Sequence, residues 1–317
     1  MAIFFLIVFV LWASGFYIQK TIELAGVEAF VKTQSLQWFE GKTLLASFIG
    51  LFLTGINAFL ISQLGLRFSI IRVRSLMPVF VFLLLVSSWH ETHLLLLSHF
   101  TLSLILISLF ILFGIYRDRN ATEQIFLASL LVAVCSLIFQ AFLLFIPLFL
   151  VGLLYSRSFS FRGLLASITG VIAVWGIYFF TIFLFSQTPK PMSDVLHAFA
   201  LDFTILHRPI NEIIYVAIIF VIGLIGIVAI KSNLHQESMQ TRSHLNFIIL
   251  LTLCAFSFSM LLQNYFHIFL PIAAMGFSFI LGHCFTIRKS KLFSYLFLIF
   301  IVTNLLYIVS NLYLHAL

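Results

Sequence analysis

Charged side chains are scarce in this sequence: they make up 9% of its 317 residues, whereas hydrophobic residues make up 62%. Soluble globular domains carry about 25% charged residues, and a single soluble core stops growing near about 250–300 residues. The chain therefore has far more apolar surface than one soluble core can bury. This excludes a soluble enzyme, a disordered protein and a nucleic-acid-binding protein. It predicts an all-α, polytopic membrane protein that forms one integral-membrane domain over residues 1–317.

Cysteine is also rare. The three cysteines, Cys135, Cys254 and Cys284, lie in separate apolar stretches. Their spacing matches neither a disulfide framework nor a metal site. We therefore expect them to be small residues of the helix packing.

Long uncharged stretches define the candidate transmembrane helices, each of which needs about 20 apolar residues to cross a hydrocarbon core about 30 Å thick. The stretch 243–287 is too long for one crossing and is interrupted by the polar pair Gln263-Asn264, which predicts two helices at about 246–262 and 267–285. The uncharged stretches are 1–19, 43–66, 75–90, 92–116, 124–156, 163–189, 213–230, 243–287 and 292–317.

The stretch 124–156 is also too long, because one straight helix there would extend about 50 Å. The alternative is a hairpin of two short helices that turns near Phe139-Gln140-Ala141. With a hairpin and a cytoplasmic N-terminus, 12 of the 17 Lys and Arg residues fall inside and 5 outside; a single helix gives 7 and 10. The positive-inside rule favours the hairpin. We expect about eleven transmembrane helices and a C-terminus outside.

Two outer segments are longer than simple connectors need to be. Residues 19–42 place apolar residues among charges at helical spacing, which is typical of an amphipathic helix lying in the membrane interface. Residues 187–212 begin with two prolines and then alternate apolar residues with His and Asp. Loops of such length are often functional.

Carboxylates and imidazoles gather on the outer side of this topology, as general acid–base chemistry on an exported substrate would require. The densest group is Trp89-His90-Glu91-Thr92-His93, in the short turn between the third and fourth helices. It is not the HExxH zinc motif, because its two histidines are three residues apart. The turn fits acid–base or sugar-binding chemistry, a metal site using His90 and His93, or simple capping of two helix ends.

Two further outer groups could join it. Asp202, His207 and Arg208 lie in the long loop, where an arginine fork suits phosphate or pyrophosphate; the alternative is a loop salt bridge between Asp202 and Arg208. Gln263 and His267 lie at the turn between the ninth and tenth helices. They line the same groove or satisfy helix ends.

One resemblance concerns the order of features from about 75 to 180, which includes the segments Y-R-D-R-N-A and Y-S-R-S-F-S-F-R-G-L-L-A-S-I-T-G. This order resembles an uncharacterised family of polytopic inner-membrane proteins of Bacteroidota-type bacteria. The resemblance implies a bacterial inner membrane, in which the orientation expected from the charges places the N-terminus in the cytoplasm and the C-terminus in the periplasm. It implies no chemistry.

The architecture is also similar to GT-C class membrane glycosyltransferases, which use polyprenyl-phosphate-linked sugar donors. That class has an interfacial helix after helix one, an acid early in that segment, and a second acid in the turn of helices three and four. The resemblance implies catalytic roles for Glu23 and Glu91, with a lipid-linked glycan as partner. The class usually has Asp after helix one, whereas this chain has Glu23 in T-I-E-L.

Three functions remain open. The first is a GT-C-like glycosyltransferase or polymerase of envelope glycan assembly. The second is a non-catalytic subunit or scaffold that binds other membrane proteins of an envelope or secretion complex. The third is a transporter or lipid-carrier flippase, which needs ionisable groups inside the membrane, where only His99 and His283 come close to burial. Membrane lipids are expected contacts, and the sequence specifies no cofactor, although a divalent metal would be compatible with the histidines.

Overall fold

The computed structural model describes residues 12, 43–71, 75–89, 92, 96–184, 209–262, 265–287 and 291–316. Every regular element within these ranges is helical. Short 3-10 segments lie at Gln140–Leu144 and Leu234–Gln236. The α-helices are α1 (Thr43–Arg67), α2 (Met77–Ser87), α3 (Leu96–Gly114), α4 (Thr122–Ile138), α5 (Phe145–Tyr155), α6 (Phe161–Leu184), α7 (Ile210–Asn233), α8 (Met239–Leu261), α9 (Phe266–Ile287) and α10 (Lys291–Ala316).

The all-helical, multi-pass membrane class is confirmed. Helices α1 to α10 coincide with the second to eleventh predicted helices, whereas the first predicted helix, apart from Trp12, and the segment 19–42 lie outside the described residues. Seven helices, α1, α3 and α6 to α10, are long and apolar enough to cross a membrane. The predicted count of about eleven crossings is not confirmed, because α2, α4 and α5 have only 11, 17 and 11 residues.

The stretch 124–156 forms a hairpin, as its length and flanking charge predict. Phe139 is extended (φ −132°, ψ 116°) and ends α4, and a 3-10 turn then leads into α5. The chain after α5 returns to the place where α4 begins, since the Arg117 N–H donates to the Ser156 carbonyl (2.9 Å). Both ends of the hairpin therefore lie at the same end of the bundle.

Hydrogen bonds identify this end, here called the basic end, where the odd-numbered helices finish and the even-numbered helices begin. Thr241 of α8 donates to the Ser69 carbonyl after α1 (3.4 Å), and Thr286 of α9 donates to Ser75 before α2 (3.2 Å). Every Lys and Arg within the described ranges lies at the basic end: Arg67, Arg117, Arg119, Arg157, Arg162, Lys231, Arg242 and Lys291. The described part of the bundle is therefore strongly asymmetric in charge.

Helix α9 is the centre of the bundle, because 89% of its candidate span is buried, against 17% for the peripheral helix α6. Small residues allow its neighbours to approach closely. A Cβ added at Gly282 would come within 2.8–3.0 Å of the Pro78 ring and nitrogen in α2. Close packing at small residues is the common way in which helices associate in lipid, where no hydrophobic effect drives them together.

We expect Gly282→Ala to destabilise the bundle by about 1–3 kcal/mol, because the proline ring and backbone that it meets have no room to adjust. Gly176 of α6 faces open space, so Gly176→Ala should be neutral or stabilising by about 0.5 kcal/mol. Thermal unfolding of the purified proteins in detergent, followed by fluorescence, checks both variants. Equal unfolding temperatures for the two would contradict the close α2–α9 contact.

The hairpin predicts from which side of the membrane three engineered cysteines can be labelled. The cysteines are introduced one at a time into a variant that lacks Cys135, Cys254 and Cys284. Asn120→Cys and Phe159→Cys should react with an impermeant maleimide from one side of the membrane. Ile210→Cys, which is exposed at the start of α7, should react from the other side. Labelling of positions 120 and 159 from opposite sides would mean that the segment between them crosses only once.

Candidate functional site

The segment after α2 leaves the helical conformation early. Helix α2 begins at the basic end and rises about 17 Å, whereas its neighbour α9, which finishes at the same end, spans about 33 Å. The described backbone N–H groups of Ser88 and Thr92 are nevertheless paired: Ser88 N–H donates to the Leu84 carbonyl (3.2 Å) and Thr92 N–H donates to the Trp89 carbonyl (3.2 Å). Non-helical backbone inside a membrane bundle persists only where its polar groups are satisfied or face water. This segment is therefore a built feature of the fold.

His99, fully buried in α3, fixes the position of Thr92. Its Nε2 lies 3.0 Å from the Thr92 carbonyl oxygen, which can only accept, so Nε2 carries the proton. Its Nδ1 lies 3.4 Å from the Thr54 hydroxyl of α1. The backbone carbonyl of His99 accepts from Asn57 Nδ2 (3.0 Å) and from the Ser103 hydroxyl (3.0 Å). One histidine thus joins α1, α3 and the segment after α2.

Asn304 of α10 makes the second set of links. Its Oδ1 accepts from the Tyr215 hydroxyl of α7 (2.8 Å) and from the Ser88 hydroxyl (2.9 Å). Its Nδ2 donates to the Phe300 carbonyl (2.7 Å). Asn304 is fully buried, so its amide connects α2, α7 and α10 without access to solvent.

Aromatic rings close around Trp89 between these two networks. Tyr215 and Tyr307 stack with their centroids 4.0 Å apart, and Trp89 packs against both at 5.5 and 5.2 Å. Phe266 and His267, on the first turn of α9, lie 5.3 and 6.3 Å from the Trp89 ring. We call this region, with the His99 and Asn304 networks, the aromatic end.

The connection between α4 and α5 also packs against the first helical turn of α9. The Phe142 ring lies 5.1 Å from the Phe269 ring, and Phe145 stacks on Phe269 at 5.7 Å. The two non-helical segments, after α2 and after α4, therefore both pack against the start of α9.

A cavity of about 30 Å³ lies beside Trp89, Thr92 and Tyr215 and reaches Pro271 inside α9. This volume holds about one or two water molecules, and its walls are almost entirely apolar. The described residues thus form a closely packed floor and not a substrate-sized pocket.

The two histidines expected near burial within spans are both buried, His99 completely and His283 to 95%. His283 Nε2 lies 3.8 Å from a carboxylate oxygen of Glu237 at the basic end. His244, also buried there, stacks on Phe113 at 4.2 Å, and neither of its ring nitrogens has a hydrogen-bond partner.

The sequence-predicted site residues fall mostly outside the described residues: these are Glu23, His90, Glu91, His93, Asp202, His207, Arg208 and Gln263. His267 is described, half-buried and in contact with Trp89. Described residues next to each of the three predicted groups lie in contact with one another. Trp89 and Thr92 flank Glu91 in sequence, Tyr215 follows the long outer loop, and His267 is the last residue of the third group. The Trp89 ring contacts those of Tyr215 and His267.

Sequence reasoning did not find the residues that hold the aromatic end together, namely Thr54, Asn57, Ser88, Tyr215 and Asn304. Their one available signal was a polar side chain inside an apolar stretch, which is costly in a membrane unless it is paired. Asn57 and Asn304 carry that signal most clearly.

Among the residues that the structure describes, no three His, Cys, Asp or Glu side chains are grouped to hold a metal ion. All three cysteines are free thiols. No family model matches the chain, and no curated protein or solved structure is similar to it.

Asn304→Ala should destabilise the protein by about 1–3 kcal/mol, because it leaves the buried Tyr215 hydroxyl without an acceptor. Thr303→Ala removes a half-buried hydroxyl one residue away and should change stability by about 0.5 kcal/mol or less. Thermal unfolding in detergent measures both. Similar losses in the two variants would show that the amide network adds nothing to helix packing.

Proposed function

We propose that this chain is a glycosyltransferase or polymerase of GT-C-like arrangement that acts on lipid-linked sugars at the outer face of a bacterial inner membrane. In this proposal the basic end is cytoplasmic and the aromatic end faces outwards. The clustering of all described Lys and Arg residues at the basic end supports this orientation. The short helices α2, α4 and α5 then enter the membrane as partial or full crossings.

The observation that carries the proposal is the buried segment around Trp89 and Thr92. Glu91 lies between these two residues in sequence, and both are fixed by hydrogen bonds and ring packing. A catalytic group needs such rigid support, because loose placement by about 1 Å costs much of the rate. A carboxylate next to a closely packed floor at the outer end is suited to general-base catalysis.

A groove in the side of the bundle supports a lipid-linked substrate. It has a volume of about 550 Å³ and lies between α1, α2 and α10, with a largely apolar lining. Ser62 and Ser75 are its hydroxyl-bearing residues, and Phe59, Phe80 and Phe297 line its walls. A polyprenyl chain fits this chemistry and would reach the groove laterally from the bilayer. Because Ser75 lies at the basic end, the groove would hold a part of the chain far from its phosphate.

The proposed reaction needs a general base for the acceptor hydroxyl and cationic groups for the leaving phosphate. Glu91 or Glu23 removes a proton from the acceptor hydroxyl while its oxygen attacks the anomeric carbon of the donor sugar. The bond from that carbon to the phosphate oxygen breaks, and the polyprenyl phosphate leaves with the electron pair. Arg208 and His207 neutralise the departing phosphate, while His90, His93, Asp202, Gln263 and His267 contact the sugars.

Glu91→Gln and Glu23→Gln test the reaction in proteoliposomes that contain the full chain and radiolabelled polyprenyl-phosphate hexose, N-acetylhexosamine or pentose. Loss of the responsible base should lower transfer by about 100-fold or more, with unchanged amounts of protein in the membrane. Asp118→Asn is the matched control: this exposed carboxylate at the basic end accepts from the Asn120 N–H (2.9 Å), which an amide oxygen can also do.

Full transfer by both glutamine variants would refute the proposed base. A wild-type protein that transfers none of the sugars but co-purifies with larger envelope proteins would instead favour the scaffold. One feature suits that second function: α6 has a long exposed apolar face that includes Ile177, Phe180 and Phe183. A scaffold could use this face for another membrane helix.

A further inference from the structure

Four arginines surround the mouth of the α4–α5 hairpin at the basic end. Arg117 and Arg119 lie between α3 and α4, whereas Arg157 and Arg162 follow α5. The two segments lie side by side, because the Arg117 N–H donates to the Ser156 carbonyl (2.9 Å). We call these four residues the arginine patch.

The arginine patch is not neutralised within the described part of the chain. All four side chains are exposed, and none lies within 4 Å of a described carboxylate. Two acidic residues are close in sequence, Asp118 and Glu123, and the Asp118 carboxylate is used by the Asn120 N–H. Four guanidinium groups against two carboxylates leave an excess of positive charge.

Two of the four arginines lie in a backbone conformation that is costly for a residue with a side chain. Arg117 and Arg157 have φ values of 65° and 53°, in the left-handed region that glycine occupies without strain. Arg157 directly follows Ser156, the C-cap of α5, and occupies the C′ position, where glycine is the usual residue. A large charged residue at such a position carries a conformational cost.

A groove of about 650 Å³ starts at the arginine patch and runs between α4 and α6. Its polar and charged residues at the basic end are Thr122, Glu123 and Arg162. Further along the helices the lining is mostly apolar, and it is formed by Phe126, Leu127, Leu165, Ala166 and Thr169. One end of the groove is therefore charged and the rest is hydrophobic. This arrangement complements a lipid, which has a charged headgroup and an apolar chain.

We propose that this groove and the arginine patch bind one anionic glycerophospholipid whose headgroup carries free hydroxyls, as phosphatidylglycerol does. Arg162 donates to the phosphodiester, for which a guanidinium is the best-matched donor. Glu123 accepts from the headgroup hydroxyls, and one acyl chain lies along Phe126, Leu127 and Leu165. The surplus positive charge of the patch selects an anionic headgroup over a zwitterionic one.

This site is separate from the proposed glycan chemistry. It lies at the basic end, and every residue in it is described. The proposed binding also differs from a general attraction between cations and the bilayer surface. Arg162 and Glu123 line one groove, whereas Lys231, an exposed cation at the same end, does not line it.

Native mass spectrometry of the full-length protein in non-ionic detergent tests the site with dioleoylphosphatidylglycerol and dioleoylphosphatidylcholine as probes. We expect one phosphatidylglycerol to bind in preference to phosphatidylcholine. Arg162→Gln should weaken its binding about fivefold, as the loss of one basic contact predicts. Thr169→Trp, which fills the groove from an exposed position, should weaken it at least as much. The matched control Lys231→Gln should stay within about twofold of the wild type.

Three outcomes would overturn the proposal. Unchanged binding in both Arg162→Gln and Thr169→Trp would remove the groove from lipid binding. An equal loss in Lys231→Gln would mean that the lipid responds to overall charge alone. A polypeptide that co-purifies with the wild type and is released by Arg162→Gln, without any preference for phosphatidylglycerol, would assign the groove to a protein partner.

Discussion

The hydrogen bond from His99 Nε2 to the Thr92 carbonyl is the contact on which the aromatic end depends (3.0 Å). Thr92 lies outside α2 and α3, so its carbonyl group is not part of the regular helical hydrogen bonding that normally satisfies a membrane segment. His99 supplies one partner from α3 and, through Thr54, links the same segment to α1. Without that donor, a buried carbonyl would be left unsatisfied at a cost of about 1–3 kcal/mol.

The two ends of the described bundle differ in their charged and polar groups. The basic end combines short connections, exposed cations and a groove with a charged mouth, which suits contact with lipid headgroups. The aromatic end has no described Lys or Arg, and the polar groups of its His99 and Asn304 networks are buried and paired. In the proposed enzyme, this division would keep the described cations of the basic end away from the reacting groups.

Helix positions could be predicted because each depends on a local run of apolar residues. The break at Phe139 and Gln140 followed from length and flanking charge, since one helix over 124–156 is too long and places most basic residues outside. The number of crossings could not be predicted in the same way. Helices α2 and α5 are apolar yet only 11 residues long, and neighbouring helices determine how such short elements are accommodated.

The polar networks lie beyond sequence reasoning for a different reason. Ser88 and Asn304 are 216 residues apart, and no local pattern indicates that the Ser88 hydroxyl donates a hydrogen bond to Asn304 Oδ1. The candidate site is still less predictable, because most of its expected residues lie in connecting segments outside the described ranges. For those segments the sequence predicts acid–base or sugar-binding chemistry and a position on the outer side, and both stay predictions.

The start of α9 explains why separate segments can serve one site. Trp89 packs on Phe266 and His267, while Phe142 and Phe145 pack on Phe269, less than one turn further along. A ligand at the aromatic end would therefore contact segments whose mutual positions are fixed by the central helix. Because that helix is also the most buried element, a displacement of α9 by the ligand would alter packing throughout the bundle. The proposed ligand would instead bind a preformed surface, and this is the condition under which the proposed carboxylate beside it would act as an efficient base.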